Sequence, residues 1–345
     1  MGEVNNVKPF TENVLRSNVD GYGFERGQNF DHIVYDDFMS QYLSVLARRS
    51  ARWREIVGRK SRIQRSAKVK RFCRKGIPSE HRSAVWMSVS GAEERMKKRP
   101  HLYRNLLNGQ HDEHLIETIN LDVHRTFPDN IYFTAADDPS GLRRPLYNVL
   151  LAVATNNDKT GYCQGMNFIA GMLLVVLRNE EKAFWLMDTL INVILPDFYS
   201  PDMIGARTEQ EVFGEIVKWK CPEVYKHLMK LDVSWQLIGA KWFLCIYADV
   251  MPVETVLRIW DCLFFEGPKI LLRVAVTLIM QTKDKILASR DFTEAVGFLQ
   301  RIVSEKEIVN CHIFMKNCFT LPGSFPDRKI ENWRKVCQRR IASDP

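Results

Sequence analysis

Pro252-Val-Glu-Thr-Val-Leu-Arg-Ile-Trp-Asp-Cys-Leu-Phe-Phe-Glu-Gly-Pro268 sets the fold class. Val253, Val256, Leu257, Trp260, Leu263 and Phe264 recur at three- and four-residue spacing, the period of one helix face. Pro252 suits a first helical turn, where its missing N–H would have no intrahelical acceptor, and Gly267-Pro268 stops the pattern. A further helix is predicted from Ile270 to about Leu287. Thr208-Glu-Gln-Glu211 reads as a capping box and Asp291-Phe-Thr-Glu294 as its Asp variant, each ahead of apolar residues at helical spacing. Strand signals are nearly absent, since Asp20-Gly21 and Asn108-Gly109 lack alternating flanks. The fold class is therefore all-α, with twelve or more helices needed at ~11 to 20 residues each. No internal repeat is evident, which argues against a regular solenoid.

With 345 residues and 46% apolar content, the chain can bury a substantial core. No Pro/Ser/Gly-rich linker divides it, so one extended domain or two fused lobes is expected. The longest uncharged run, Thr160 to Leu177, contains Gln164, Asn167 and three glycines. Its lipid-like half falls short of the ~20 apolar residues that a span needs. The start, Met1-Gly-Glu-Val-Asn-Asn, has no basic region followed by an apolar one, and position 6 is Asn where acylation of Gly2 would favour Ser or Thr. A soluble, unsecreted, cytoplasmic chain is expected. Eight cysteines without a Cys-x-x-Cys, several inside apolar helical patterns, read as reduced core thiols. His111-Asp-Glu-His114 has the wrong internal order for a His-Glu-x-x-His metal site and reads as a solvated helix start, so no metal is expected.

Net charge is +8, but Arg48 to Lys75 alone holds 13 Lys/Arg against Glu55, a local +12 that leaves a net −4 for the rest. The segment also carries Trp53, Ile56, Val57, Ile63, Val69 and Phe72, so it reads as helices with a solvated face. Contact with an anionic membrane, peripheral on endomembranes, is the alternative. Nucleic acid is not an expected partner.

Two stretches carry candidate chemistry: Ile119-Asn-Leu-Asp-Val-His-Arg-Thr-Phe-Pro128 and Gly161-Tyr-Cys-Gln-Gly-Met-Asn-Phe168. The first is expected on a helix from about His111 to Phe127, with Leu115, Ile116, Ile119 and Val123 as its stripe and Pro128 closing it. Arg125 then points roughly 135° from the stripe. Asp122 lies one turn earlier, within reach of a charge-assisted hydrogen bond to the guanidinium. The second stretch leaves the polar loop 155–161 and runs into an apolar helix from Met166 to Leu177, placing Gln164 near a helix start. Gly161 and Gly165 allow tight backbone geometry, while Tyr162 and Asn167 flank the Gln with a ring and an amide. Alone, an Asp-x-x-Arg is an ordinary exposed ion pair and a Gln before a helix an ordinary turn residue.

Together with Gly76-Ile-Pro-Ser-Glu-His-Arg-Ser-Ala-Val-Trp86, these stretches resemble, in order and without gaps, three motifs of the TBC-domain Rab GTPase-activating proteins. The first motif is carried by Gly76-Ile-Pro78, Arg82 and Trp86, the second by Ile119, Asp122, Arg125, Thr126 and Pro128, the third by Tyr162, Gln164, Gly165 and Asn167. The likeness continues through Trp242 to Pro252 and Leu257 to Gly267, covering about residues 70 to 290. One small departure is Ser83, where the family often has Gly. The resemblance implies a two-lobed all-α TBC (Rab-GAP) domain with a short helical N-terminal extension. It also implies binding of a GTP-loaded Rab, into whose nucleotide site Arg125 and Gln164 insert as catalytic fingers, with Asp122 supporting the arginine. The Gln would take over water positioning from the Rab's own glutamine. GTP and Mg²⁺ would be carried by the partner; with no Gly-x-x-x-x-Gly-Lys-[Ser/Thr] loop, no nucleotide cofactor is expected on this chain.

Arg82 and Trp86, one helical turn apart, suit a core tether, and Asp261 an internal hydrogen-bond or ion-pair partner. The expected division is an extension over 1–70, the TBC domain over 71–290, and C-terminal helices with a basic tail over 291–345. The competing readings are a non-catalytic Rab-binding scaffold and a membrane-surface adaptor.

Overall fold

The computed structural model describes residues 18–27, 31–58, 63–134, 141–157, 159–304 and 310–343. Nineteen α-helices occur among them. In chain order they are α1 (His32–Gly58), α2 (Ala67–Lys75), α3 (Ser79–Ser90), α4 (Ala92–Lys98), α5 (Leu102–Leu107), α6 (Glu113–His124) and α7 (Ile131–Thr134). Next come α8 (Arg143–Asn156), α9 (Met166–Leu177), α10 (Glu180–Thr189), α11 (Ile204–Lys220), α12 (Pro222–Lys230) and α13 (Trp235–Leu244). The remainder are α14 (Val253–Glu266), α15 (Lys269–Gln281), α16 (Lys283–Leu287), α17 (Phe292–Arg301), α18 (Cys311–Thr320) and α19 (Asp327–Ser343). The only β pairing among the described residues is two isolated bridges, Val19 with Glu25 and Phe24 with Asn130.

Two lobes meet at α14. In the first, α9 packs on α3, α6, α8 and α10; in the second, α11 packs on α12, α13, α15 and α19. α14 touches α2, α3, α15 and α18, so it is enclosed, and every residue from Thr255 to Phe265 is buried. The stripe read from its sequence described one face of a helix that has no solvated face over those turns. That is why large apolar side chains occur all round it. Its N-cap is Pro252, one position before the first helical residue, and Gly267 ends it at φ +84°.

Two expectations are corrected. α11 begins at Ile204, a turn before Thr208, because Asp202 accepts the Ile204 amide and the Gly205 amide reaches the Asp197 carbonyl at 3.0 Å. Thr208 is therefore inside the helix and buried, and Glu211 accepts from Gln236 of α13 instead of closing a capping box. The helix expected over 270–287 is two: α15 ends at Gln281, where the Thr282 hydroxyl caps the Leu278 carbonyl at 2.8 Å, and α16 follows. The N-terminal extension is helical in α1, as expected, and among its described residues 19–25 form a bridged arm ahead of that helix. Asp291 does cap α17, accepting the Glu294 amide at 2.9 Å, and Glu294 accepts the Arg290 amide at 2.9 Å.

The basic segment divides between α1 and α2, with 59–62 outside the described residues. Trp53, Ile63 and Val69 are buried, and Arg65, Lys70 and Arg74 are engaged internally, with the Val89 carbonyl and Glu266. All eight cysteines are free; seven are buried and Cys163 is half-buried. Burial pushes the Cys311 and Cys337 thiols up to about 11, as inert core thiols require. No described helix is long and apolar enough to cross a membrane.

Candidate functional site

α6 starts at Asp112, whose carboxylate accepts the His114 amide at 2.8 Å; His111 instead turns to the Thr155 hydroxyl at 3.2 Å. The helix buries Ile119 and Val123, with Leu115 and Ile116 half-buried, as the stripe predicts. It ends earlier than expected: His124 is its last residue and Arg125 is its C-cap, at φ −100° and ψ 2°. Phe127, two residues on, has φ +48°, which carries the chain out of the helix before Pro128. The Asp122 brace forms across this end, with Oδ1 accepting Arg125 Nε at 2.8 Å and lying 2.7 Å from Nη2. Asp122 is buried, whereas the Arg125 side chain is 53% exposed. The carboxylate thus holds one edge of the guanidinium and leaves the rest facing outward.

The other oxygen of Asp122 is taken by the Tyr162 hydroxyl. Burial, then the hydrogen bond to that carboxylate, pushes the Tyr162 pKa far above its ordinary value, so the phenol remains a donor. A second bridge lies deeper: the Thr126 hydroxyl donates to the Asp122 carbonyl at 2.6 Å and accepts from the Asn167 amide at 2.9 Å. Asn167 is fully buried, and its carbonyl oxygen accepts the Gly165 amide at 3.1 Å. Two side-chain bridges therefore tie the end of α6 to the loop before α9.

Gly165 is the N-cap of α9 at φ +104°, and a Cβ there would lie 3.1 Å from Cys245 Sγ and 3.3 Å from Leu244 Cγ. Both the backbone conformation and the contact with the end of α13 demand glycine. Gln164, just before it, is exposed, and among the described residues its side chain has no hydrogen-bond partner. The Arg and Gln motifs are thus joined through Asp122, Tyr162, Thr126 and Asn167, with Arg125 and Gln164 left at the surface.

Arg82, Trp86 and Asp261 meet in the core. Asp261 Oδ1 accepts Trp86 Nε1 at 2.9 Å and Arg82 Nε at 3.3 Å, and Oδ2 accepts the Ile77 amide at 2.8 Å. Arg82 also pairs with Glu254 at 3.1 Å. Burial pulls the Arg82 pKa down, but Glu254, Tyr22 and Asp261 outweigh it and hold the guanidinium charged. These contacts join α3 to α14 through the core.

A model of the Rab-GTPase-TBC domain matches residues 79–287, which is more than half of the chain. The chain belongs to this family. It is 47% identical over 337 residues to growth hormone-regulated TBC protein 1-A of Danio rerio, covering 98% of this chain and 94% of that one. It is 46% identical to growth hormone-regulated TBC protein 1 of Homo sapiens, covering 94% and 96%. Among solved structures it resembles the Chlamydomonas flagellar RabGAP TBC domain, at 30% identity and TM-score 0.75, covering 87% of this chain and 99% of that one. It shares its fold with the Ypt/Rab-GAP domain of Gyp1p, at 19% identity and TM-score 0.67, covering 80% and 98%.

Within this TBC domain, sequence reading placed Thr126 in the Arg125 motif but gave it no role, since its bridging needs a hydroxyl yet follows no local period. It passed over Leu121, which is 72% exposed one helical turn before Arg125. A signal for Leu121 did exist: it is a large apolar residue off the stripe of α6, on the side that carries Arg125. The arm residues Tyr22 and Phe24 were seen only as part of a short extension, and the structure seats both against the domain.

Proposed function

We propose that this protein is a GTPase-activating protein for Rab-family small GTPases and that it acts in trans through Arg125 and Gln164. The observation that carries the reading is the paired bridging of the two motifs, Asp122 to Tyr162 and Thr126 to Asn167, with the Arg125 guanidinium and the Gln164 amide each left exposed on the motifs so joined. Bound GTP hydrolyses slowly because charge accumulates on the γ-phosphoryl oxygens and the attacking water is poorly oriented. A permanently charged planar guanidinium answers the first problem. An amide, which donates and accepts, answers the second. Asp122 keeps Arg125 in one rotamer, so less side-chain entropy is lost on insertion.

The test is a single-turnover hydrolysis screen across GTP-loaded Rabs. Acceleration of none by the wild-type protein sinks the proposal. With a responsive Rab, Gln164→Ala is expected to cut the stimulated rate by roughly 10²- to 10³-fold, the scale of removing one preorganised polar contact to the transition state. A Rab lacking its own switch glutamine should stay partly responsive to the wild type, since the water-orienting amide comes from this chain. Complete unresponsiveness would remove Gln164 from that role.

Leu121 supplies apolar contact area on the same face. Leu121→Asp should raise the half-saturating Rab concentration roughly 10-fold, the loss expected of a buried apolar interface anchor, while the saturating rate holds. A change confined to the saturating rate would place Leu121 outside the interface.

A further inference from the structure

Residues 18–27 lie outside the span matched by the family model, yet they are bound at both ends to the machinery described above. Asp20 builds the arm's turn by accepting the amides of Tyr22 at 2.8 Å and Phe24 at 3.0 Å. On one side, the Tyr22 hydroxyl donates to Glu254 Oε2 at 2.8 Å and accepts from Arg82 Nη1, which plugs the arm into the core ion cluster. On the other side, the arm pairs with the turn that follows Arg125. The Glu25 amide donates to the Asp129 carbonyl at 2.8 Å, the Ile131 amide to the Gly23 carbonyl at 3.0 Å, and Asn130 Nδ2 to the Tyr22 carbonyl at 3.1 Å. Gly23 permits this close passage at φ +93°, because a Cβ would lie 2.4 Å from the Tyr132 ring.

Phe127 is where the arm acts on the site. A bulky residue holds a left-handed conformation only when its surroundings impose it. The Phe127 ring sits among Phe24 at 5.1 Å and 81°, Phe168 at 5.5 Å and Phe133 at 5.7 Å. Phe24 is the arm's contribution to that cage. If the cage loosens, the end of α6 can relax, and Arg125, as the C-cap residue two positions earlier, turns with it.

We infer that the Tyr22–Phe24 arm is a positioning element for Arg125, clamping the post-helix turn to the Arg82–Glu254 cluster. This rests on the catalytic reading of Arg125 given above. The experiment uses the full chain and a responsive GTP-loaded Rab under single-turnover conditions. Phe24→Ala should lower the saturating rate roughly 10- to 100-fold, as misplacing a catalytic group by about 1 Å does, with the half-saturating Rab concentration unchanged. In an Arg125→Ala background the same substitution should cost nothing more, since there is no finger left to position. Phe24→Leu, which refills most of the volume, should recover part of the rate. A loss of equal proportion in both backgrounds overturns the proposal.

Amide hydrogen exchange of the free protein supplies a second readout that needs no Rab. Phe24→Ala should speed exchange at Asn130 and Ile131 while α13 and α14 keep their protection. Unchanged exchange there overturns the proposal even if no Rab responds, an outcome that would separately end the activator reading. Should Phe24→Ala fail to fold, Tyr22→Phe removes only the bridging hydroxyl, and a several-fold drop in saturating rate is expected from it.

Discussion

Arg125→Ala is expected to lower Rab-stimulated GTP hydrolysis by ~10³- to 10⁵-fold, about 4 to 7 kcal/mol of barrier, while the protein stays folded. The two halves of that statement have different causes. On the proposed mechanism the rate effect follows from removing the guanidinium that would meet the charge developing on the transferring phosphoryl. The small stability effect follows from exposure: the Arg125 side chain is 53% exposed, and ion pairs of this kind contribute under ~1 kcal/mol. Asp122 is not stranded by the substitution, because it keeps the Tyr162 hydroxyl and water can enter where the guanidinium stood. Arg125→Lys should recover little, since an ammonium cannot keep the Nε and Nη2 contacts to Asp122 and present a planar edge outward at once. Rate is read by single-turnover hydrolysis, folding by circular dichroism, and Rab binding by titration with a non-hydrolysable nucleotide. Retained activity in a folded Arg125→Ala protein would falsify the mechanism. Retained binding with lost activity is what separates an activator from a scaffold.

Asp261→Ala should do the reverse, costing about 3 to 5 kcal/mol of stability because it leaves a buried cation short of a partner. Asp261 is fully buried and serves three donors at once: Arg82 Nε, Trp86 Nε1 and the Ile77 amide. Glu254 and the Tyr22 hydroxyl remain on the other edge of Arg82, which keeps the loss from being larger. For a chain of this length the cost corresponds to a melting temperature lower by roughly 4 to 7 °C. Asp261→Asn, whose one carbonyl oxygen can still accept from Arg82 and Trp86 but which loses the charge and the acceptor for the Ile77 amide, should fall between. Thermal unfolding followed at 222 nm decides it; a shift of under a degree would show that the cluster is not what joins α3 to α14. In the surviving folded fraction the stimulated rate per molecule should be close to wild type, since Arg82 keeps Glu254 and the Tyr22 hydroxyl and the arm stays clamped.

The helical class was legible because it is a local property. Apolar residues at three- and four-residue spacing, a Gly at the end of α14 and Asp291 before α17 each specify their helix with residues that are near neighbours in the chain. Where local signals competed, the structure chose otherwise. Thr208 and Glu211 have a capping spacing, but Asp202 and the backbone at Asp197 start the helix a turn earlier. Arg125 lies on the expected side of α6 but at its very end, since Phe127 turns the chain in a cage of rings that no window of sequence contains.

The sequence by itself determined that this chain is a bundle of helices carrying the ordered TBC motifs, with Arg125 braced by Asp122 three residues earlier. Only the tertiary structure decided that Tyr162 closes the other side of Asp122 across 40 residues and that Tyr22 reaches Glu254 across 232. The reason is physical. Helix faces and caps are set by the 3.6-residue period and by nearby backbone groups, which the sequence displays directly. Which buried hydroxyl meets which buried carboxylate depends on how whole helices pack, because each such group must find a partner somewhere in the finished core and only the folded chain brings the candidates together.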